Sequence, residues 1–445
     1  MGKYTNFGIK YPVFSLGRRA VTVGGGDGAR ECLVNVGGGG SARSGIKNCV
    51  AVFSIKHVDG KPTVVDEAVF ESDERLCTTV ETSHDQKLFV ASTSDGALLL
   101  EFDSKEKTLK ELLFWKTDSV VDKDTPACQN VACFSPVDSS VVLTGGDDGS
   151  ACLWKVEMVE QAPTKDTEEK EEKGIELQQN ENKDGAEKKE ETAAKSKEEE
   201  EEDDDDTDTE PMGETQWKST ATTKLKGHTK PIKDIDFHPS GKIVATASGD
   251  NTVRLWDVET GKPLQVLPSD AAAGMNYRRC RFASEDRLIT LQAKQGRGGY
   301  SFLVEFTRDT ETEEWQVSRA VNILKGLVTT IKLHPPFISI GDARGGLSLL
   351  DFDTLEKLSY FPEVHNLPVT GLSSVPNPDD RSKTYIVTAS MDKTVTMLPA
   401  RRPRFRGVVK LIIPFLLILL VILFRIFFLG HDGTIEDNTS HHEEL

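Results

Sequence analysis

The chain has 445 residues and a formal net charge of −18, with 72 acidic against 54 basic residues. The acidic excess is local, because residues 165–210 hold 22 Asp and Glu against 8 Lys, a net of −14. The rest of the chain is only mildly acidic and has no basic stripe, so nothing marks it as a nucleic-acid-binding surface. The seven cysteines include no CxxC pair and no histidine at zinc-finger spacing, which argues against a zinc site or a disulfide framework and predicts buried, reduced thiols.

Two glycine-rich stretches lie near the N-terminus, where strands are predicted at 11–16 and 32–36. The first stretch, 24–28, lies between those strands and is consistent with a hairpin turn. The second, 37–48, reads GGGGSARSGIKN and replaces the short turn expected between two strands. Because glycine permits positive φ and close backbone approach, several carbonyl or N–H groups of such a loop can converge on one point.

Converging N–H groups would hold a phosphate, whereas converging carbonyls would hold a cation. The stretch 37–48 contains neither GxxxxGK[ST] nor GxGxxG in the required frame, and its strand–loop–strand setting offers no helix N-terminus for an anion. Carbonyl oxygens suit a hard cation, but calcium usually requires carboxylates and this loop has none. A large monovalent cation therefore fits best, and a surface loop without a ligand remains the alternative.

A repeated pattern of β-branched strand, Asp/Gly turn and apolar strand extends along most of the chain. It predicts seven equivalent third strands, one in each of seven four-stranded blades. Their centres lie near residues 52, 100, 154, 256, 304, 350 and 397. Apart from one longer interval, successive third strands lie about 46–54 residues apart, which is close to the ~40–45-residue period of a WD repeat.

The most complete copy is GHTKPIKDIDFHPSGKIVATASGDNTVRLWD, residues 227–257, which has the full sequence pattern of a WD repeat. Its pattern predicts a buried hydrogen-bond chain that locks the blade, made by His228, Ser248, Asp250 and Trp256. We interpret these four residues as structural and not catalytic.

The long interval falls between the third strands near 154 and 256, where the acidic segment lies. We therefore place an insert, 160–215, between the third and fourth strands of blade three, with the fourth strand resuming at 219–228. The insert has almost no apolar residues and cannot bury enough surface to order itself, which predicts disorder. A docking role for a basic partner is the alternative.

The last blade has no fourth strand of its own, because the chain passes from Met397 directly into a basic stretch. An unpaired edge in a ring is unfavourable, so residues 4–11 are the candidate strand that closes it. The predicted fold is all-β: a seven-bladed WD-repeat β-propeller over 1–400, interrupted by the disordered acidic insert.

A long apolar run, 411–430, predicts one C-terminal transmembrane helix. The basic segment 401–410 precedes it and the acidic tail 431–445 follows, which predicts a cytosolic N-terminal domain and a lumenal tail. The chain ends His442-Glu443-Glu444-Leu445, similar to the retrieval signals of the endoplasmic reticulum, and a retrieval receptor is thus a candidate partner. A glycosylation sequon begins at Asn438.

Three features together resemble a known family: GGGG-x4-GI-x-N in blade one, the strand Tyr11-Pro12 before it, and a C-terminal anchor. The family is that of the endoplasmic-reticulum membrane guanine-nucleotide exchange factors for the small GTPase that initiates coat protein complex II. The resemblance implies a non-enzymatic exchange factor at the reticulum membrane that accelerates GDP release for vesicle export to the Golgi. It also implies a potassium ion held by the loop backbone, and Asn48, with Ile46 beside it, as the residues that act on the GTPase. The implied potassium ligands are Gly37, Gly38, Gly39, Gly40, Ser41 and Gly45.

The main alternative is a related propeller that assists cargo exit without exchange activity. A hydrolase is disfavoured because no nucleophile–histidine–acid pattern stands out. DNA binding is disfavoured by the predicted anchor and the absence of a basic stripe.

Overall fold

The computed structural model describes most of the predicted propeller and a short part of the C-terminal apolar run. The described residues are 5–18, 20–23, 30–39, 45–58, 61–117, 120–122, 125–126, 128–160, 215–268, 275–294, 299–377, 380–401 and 416–424. Within them the chain forms 31 β-strands, which group into seven blades and one small hairpin.

The strands follow one another in chain order. The first is β1 (Thr5–Gly8), and blade 1 holds β2 (Val13–Leu16), β3 (Val21–Val23), β4 (Arg30–Gly37), β5 (Asn48–Val58) and β6 (Lys61–Asp73). Blade 2 holds β7 (Cys77–Thr82), β8 (Leu88–Thr93), β9 (Gly96–Asp103) and β10 (Thr108–Lys116), followed by the hairpin of β11 (Val120–Asp122) and β12 (Thr125–Pro126). Blade 3 holds β13 (Gln129–Phe134), β14 (Val141–Gly146), β15 (Ser150–Glu160) and β16 (Thr215–Lys226).

Blade 4 holds β17 (Ile232–Phe237), β18 (Ile243–Ser248), β19 (Thr252–Asp257) and β20 (Pro263–Pro268). Blade 5 holds β21 (Met275–Ser284), β22 (Arg287–Lys294), β23 (Tyr300–Arg308) and β24 (Trp315–Lys325). Blade 6 holds β25 (Val328–His334), β26 (Phe337–Asp342), β27 (Leu347–Asp351) and β28 (Lys357–Phe361). Blade 7 holds β29 (Val369–Asn377), β30 (Asp380–Ser390) and β31 (Thr394–Ala400).

Every predicted third strand is confirmed, because β5, β9, β15, β19, β23, β27 and β31 span the seven predicted centres. The seven-bladed all-β propeller is therefore confirmed. The first glycine run, 24–28, lies outside the described residues, but β3 and β4 on either side of it pair antiparallel, with Val23 opposite Arg30. The hairpin thus joins an additional short strand to blade 1.

Apolar side chains pack in seven clusters, and each cluster is shared by two neighbouring blades. Blade 7 and blade 1 share one of them, in which Val387 and Met397 pack with Leu33 and Phe53. The core is therefore a ring of inter-blade seams, which is what four-stranded sheets with two apolar faces require. The seven cysteines form no disulfide, and five of them are buried.

The two faces of the ring differ in the loops they present. Successive antiparallel strands of a blade reverse direction, so β4 ends and β5 begins on the face where the inner strand β2 begins. The inner strands of the other blades, such as β17, begin on that same face. We call this the glycine-loop face. On the opposite face, which we call the insert face, β15 ends and β16 begins.

The ring is closed by the N-terminal strand, as predicted. β1 pairs antiparallel with β31, with Thr5 opposite Met397 and Gly8 opposite Thr394, and the Ile9 N–H donates to the Lys393 carbonyl at 2.8 Å. Blade 7 thereby gains the fourth strand that its own segment of chain does not supply.

The position of the acidic insert is also confirmed. β15 ends at Glu160, and β16, its partner in blade 3, begins at Thr215. The fourth strand thus begins four residues before the predicted position, 219. Residues 161–214 lie outside the described part of the chain, so their disorder stays a prediction.

No helix long and apolar enough to cross a membrane occurs in the described residues. The C-terminal apolar run is described as a helix over 416–424. The remaining residues of the predicted span 411–430 lie outside the described part. The same holds for the predicted retrieval signal His442-Glu443-Glu444-Leu445 and for Asn438.

Removing residues 1–8 is expected to destabilise the whole ring, because β31 loses its hydrogen bonds to β1. Apolar side chains of the seam between blades 7 and 1 also become exposed to water. Each lost hydrogen bond contributes about 1 kcal/mol, so the loss in unfolding free energy should reach several kcal/mol. Urea denaturation of the full chain measures it. Removing residues 1–3, which leaves the ladder intact, is the control; equal losses for the two deletions would contradict closure by β1.

Candidate functional site

The base of the loop 37–48 is built so that only glycine fits at its first positions. A β-carbon at Gly37 would collide with the Pro12 carbonyl, and one at Gly38 would lie 2.6 Å from both Cα and Oδ1 of Asn48. Gly38 also has a φ of +141°, which side chains rarely adopt. Its N–H donates to the Pro12 carbonyl at 3.0 Å, and the Gly39 N–H donates to the Ile46 carbonyl at 3.2 Å. The hydrogen bond between Gly39 and Ile46 therefore joins the two ends of the loop, and Pro12 holds the end at Gly38.

Asn48 lies at this base and not at the tip of the loop. Its side chain is only 4% exposed, and its Nδ2 donates to the Asp73 carbonyl at 3.3 Å. Tyr11 packs against Gly37 at this base. Its burial, together with the nearby Cys49, raises the pKa of its hydroxyl. The prediction that the Asn48 side chain contacts a partner therefore conflicts with its burial.

The other predicted loop residues are only partly described. Ile46 is half-buried, and Gly45 is exposed with a φ of +72°. Gly40 and Ser41 lie outside the described residues. Because two of the six proposed ligands fall there, the potassium site stays a prediction.

The histidine–tryptophan network of blade 4 is present, with one change of member. His228 Nδ1 lies 2.9 Å from Asp250 Oδ2, and His228 Nε2 lies 2.7 Å from Thr246 Oγ1. The Trp256 indole donates to the same Thr246 hydroxyl at 2.8 Å. Ser248, which we predicted as a member of this chain, instead donates to the Lys230 carbonyl at 2.8 Å. The correction has a simple cause: the side chain on the second strand that faces both rings is two residues earlier, on the same face of β18.

Blade 7 has a second such network that the sequence did not reveal. His365 lies 2.6 Å from Thr394 Oγ1 and 2.7 Å from Thr388 Oγ1. The histidine and the second-strand threonine are 23 residues apart here, against 18 in blade 4. A search at fixed spacing misses this histidine, although the copy TASMDKTVTML marks its partner strands.

The central channel, lined by the inner strands of the blades, contains a network of buried charges. Arg18 follows β2 and crosses the channel, with its guanidinium 2.5 Å from Glu81 of blade 2 and 2.5 Å from Asp236 of blade 4. Arg281 of blade 5 pairs with Asp234, which also accepts the Cys280 N–H at 2.9 Å. Three carboxylates and two guanidinium groups from four blades therefore form ion pairs with one another in this part of the channel.

Burial alone would disfavour the charge of Arg18, but the carboxylates of Glu81 and Asp236 outweigh it and raise the pKa of the guanidinium. Lys332 of blade 6 adds a hydrogen bond to the Arg18 carbonyl. The residue therefore connects blades that no neighbouring seam joins. It is a structural link, and sequence reasoning had no signal for it because its partners are remote in the chain.

Comparison with known proteins places WD repeats at the sites of blades 3 and 4. The family model described as "WD domain, G-beta repeat" matches residues 126–155 and 218–257. Similar proteins are "Eukaryotic translation initiation factor 3 subunit I" of Botryotinia fuckeliana, 31% identical over 182 residues, and of Neurospora crassa, 28% identical over 183 residues. Both matches cover 39% of this chain, and the chain spans about half the length of the curated relatives it matches.

These relatives correct the identification made from the glycine loop. They are named as translation-initiation subunits, whereas the resemblance implied an exchange factor for the coat protein complex II GTPase. The exchange activity, the GTPase and the reticulum membrane as partners, and the assigned localisation are therefore withdrawn. The roles in exchange predicted for Asn48 and Ile46 are withdrawn with them, as is the retrieval receptor.

Replacing Asn48 with alanine is expected to lower the unfolding free energy by about 1–3 kcal/mol, because the Asp73 carbonyl loses its buried donor. Chemical denaturation of the purified chain measures the change. Lys47→Ala is the matched control, since Lys47 is exposed and pairs with the exposed Glu71. A neutral Asn48→Ala would show that Asn48 does not anchor the loop.

Replacing Arg18 with methionine should cost about 3–5 kcal/mol of stability, because buried carboxylates lose their counter-charge. Lys155→Met is the control, as Lys155 forms an exposed pair with Glu157 and should change stability by less than about 1 kcal/mol. Similar losses in the two variants, measured by denaturation, would contradict the role of Arg18 as a link across the channel.

Proposed function

We propose that this chain is a non-enzymatic propeller scaffold that assembles with other proteins of translation initiation. The observation that carries the proposal is the match of 182 residues to relatives named as a subunit of translation initiation factor 3. A protein named as a subunit belongs to a larger assembly, so the partners proposed here are the other subunits of that factor. Because a propeller hosts many functions, its shape alone supports only the scaffold.

The glycine-loop face is the surface best suited to such a partner. Leu367 precedes the inner strand of blade 7, and Met391 joins its second and third strands; they are 46% and 42% exposed. The Ser390 hydroxyl donates to the Leu367 carbonyl at 3.2 Å, which holds the two loops together. Two large apolar side chains on adjoining, hydrogen-bonded loops form a small rigid patch, and little ordering entropy is lost when a partner covers it.

Blade 1 extends this patch, because it adjoins blade 7 through their shared seam. The ends of its glycine loop are held by the Pro12 carbonyl and by the pairing of Gly39 with Ile46. Both features lie on the glycine-loop face. The proposed interface therefore comprises the blade 7 patch and the base of the loop of blade 1.

The test is binding of the purified full chain to translation initiation factor 3 assembled without its subunit I. We expect a complex that co-elutes in size-exclusion chromatography. The double substitution Leu367→Asp and Met391→Asp should weaken it at least about tenfold, since two apolar contacts become charged. Val137→Asp is the matched control, because Val137 is 59% exposed but lies on the insert face.

Two results would count against the proposal in different ways. Absence of any complex would reject the translation-initiation partners. A complex weakened by Val137→Asp and not by the double substitution would retain the partners and reject the glycine-loop face.

A further inference from the structure

A pocket of about 260 Å³ opens at the mouth of the central channel on the glycine-loop face. Its residues come from the starts of inner strands of blades 1, 4, 5, 6 and 7. They combine three cationic side chains with an apolar wall and two hydroxyls: Phe14, Lys233, Arg278, Arg279, Leu327, Val328, Thr329 and Thr370. No carboxylate is among these described lining residues.

None of the three cations of this pocket forms an ion pair in the described part of the chain. Burial lowers the pKa of Arg279, and the nearby Asp234 carboxylate offsets part of that shift. Arg279 donates to two backbone carbonyls, those of Lys233 at 3.3 Å and Arg278 at 3.0 Å, and forms no ion pair. The Nε atom of Arg278 is buried without a hydrogen-bond partner. Burial lowers the pKa of Arg278, with no carboxylate to offset it. A half-buried cation without an ion-pair partner is costly, so an anion in this pocket would be stabilised by the two arginines.

The carboxylates deeper in the channel do not supply one. Asp236 and Glu81 are engaged by Arg18, and Asp234 is engaged by Arg281. The channel is therefore divided between a region of paired charges and a mouth with unpaired positive charge. This local excess of positive charge is opposite in sign to the net charge of the chain, −18.

We propose that this pocket binds a phosphate monoester, with Arg278, Arg279 and Lys233 around the phosphate and Phe14, Leu327 and Val328 against its organic part. This site is independent of the assembly proposed above.

Phosphate suits the donor set better than a carboxylate does. A phosphate monoester carries about −1.5 to −2 charges at neutral pH, close to what three cations can balance. The planar fork of a guanidinium matches phosphate oxygens in bidentate fashion. The hydroxyls of Thr329 and Thr370 already donate to backbone carbonyls, so the cations are the groups that recognise the ligand. The pocket exceeds the size of an inorganic phosphate, and its apolar wall leaves room for an attached organic group.

Isothermal titration of the full chain at low ionic strength, with inorganic phosphate and phenyl phosphate as probes, tests the proposal. Both should bind, and phenyl phosphate about tenfold more tightly, because its ring covers the apolar wall. Phenyl phosphate should also raise the thermal unfolding midpoint, since it binds only the folded chain.

Arg278→Gln and Arg279→Gln should each weaken phenyl phosphate about tenfold or more, because each removes a charge-assisted contact. Arg278→Gln should not lower the unfolding midpoint of the ligand-free chain, since burial of Arg278 is offset by no carboxylate. Arg279→Gln also removes two hydrogen bonds to backbone carbonyls, so its unfolding midpoint is measured to show that the variant is folded. Arg308→Gln is the matched control: Arg308 ends β23 on the insert face, where it pairs with Glu313 at 3.2 Å, and its loss should leave binding unchanged.

The source of the phosphate is distinguished by a second pair of probes, glycerol 3-phosphate and an alanine–phosphoserine–alanine tripeptide. Tighter binding of the tripeptide assigns the pocket to a phosphorylated side chain, and tighter binding of glycerol 3-phosphate assigns it to a free ester. The proposal is overturned if phenyl phosphate fails to bind the unaltered chain. It is equally overturned if the double variant Arg278→Gln, Arg279→Gln binds it as the unaltered chain does.

Discussion

Ring closure is the constraint on which the rest of the structure depends. Each blade buries its two apolar faces only against its neighbours, so seven blades require seven seams. The last seam and the last ladder join blade 7 to the beginning of the chain, through β31 and β1. Until those distant segments meet, one blade has an open edge and two faces remain exposed to water. The closing strand is short, but the completed core, the channel and both faces depend on it.

Closure also creates the electrostatics of the channel. Inner strands of all seven blades converge there, and charged side chains that are far apart in the chain become neighbours. Arg18 and Asp236, 218 residues apart, form one of the links. Paired charges occupy one part of the channel, while Arg278 and Arg279 at its mouth form no ion pair among the described residues. The first arrangement stabilises the ring, and the second supports a binding site.

The glycine loop shows how a motif can support the wrong function. Its glycines are required by geometry: Pro12 and Asn48 leave no space for side chains at Gly37 and Gly38. Asn48 is buried beneath them, so its identity follows from the same packing. The resemblance to exchange factors rested on residues 37–48, on Tyr11-Pro12 and on architecture, and a propeller is shared by proteins of many functions. The names of the relatives overturned it, and they leave the potassium site untested.

The sequence by itself determined the features whose signals are local. The repeated pattern of β-branched strand, Asp/Gly turn and apolar strand predicted all seven third strands, because it depends on neighbours within one repeat. The repeat interval predicted the place of the insert, and the missing fourth strand of the last blade predicted the need for a closing strand. Only the tertiary structure decided which side chains meet within and across blades. It replaced Ser248 with Thr246 in the network of blade 4, added His365 in blade 7 and placed Arg18 against Glu81 and Asp236. Those contacts depend on strand pairing and on the ring, so no spacing along the chain encodes them.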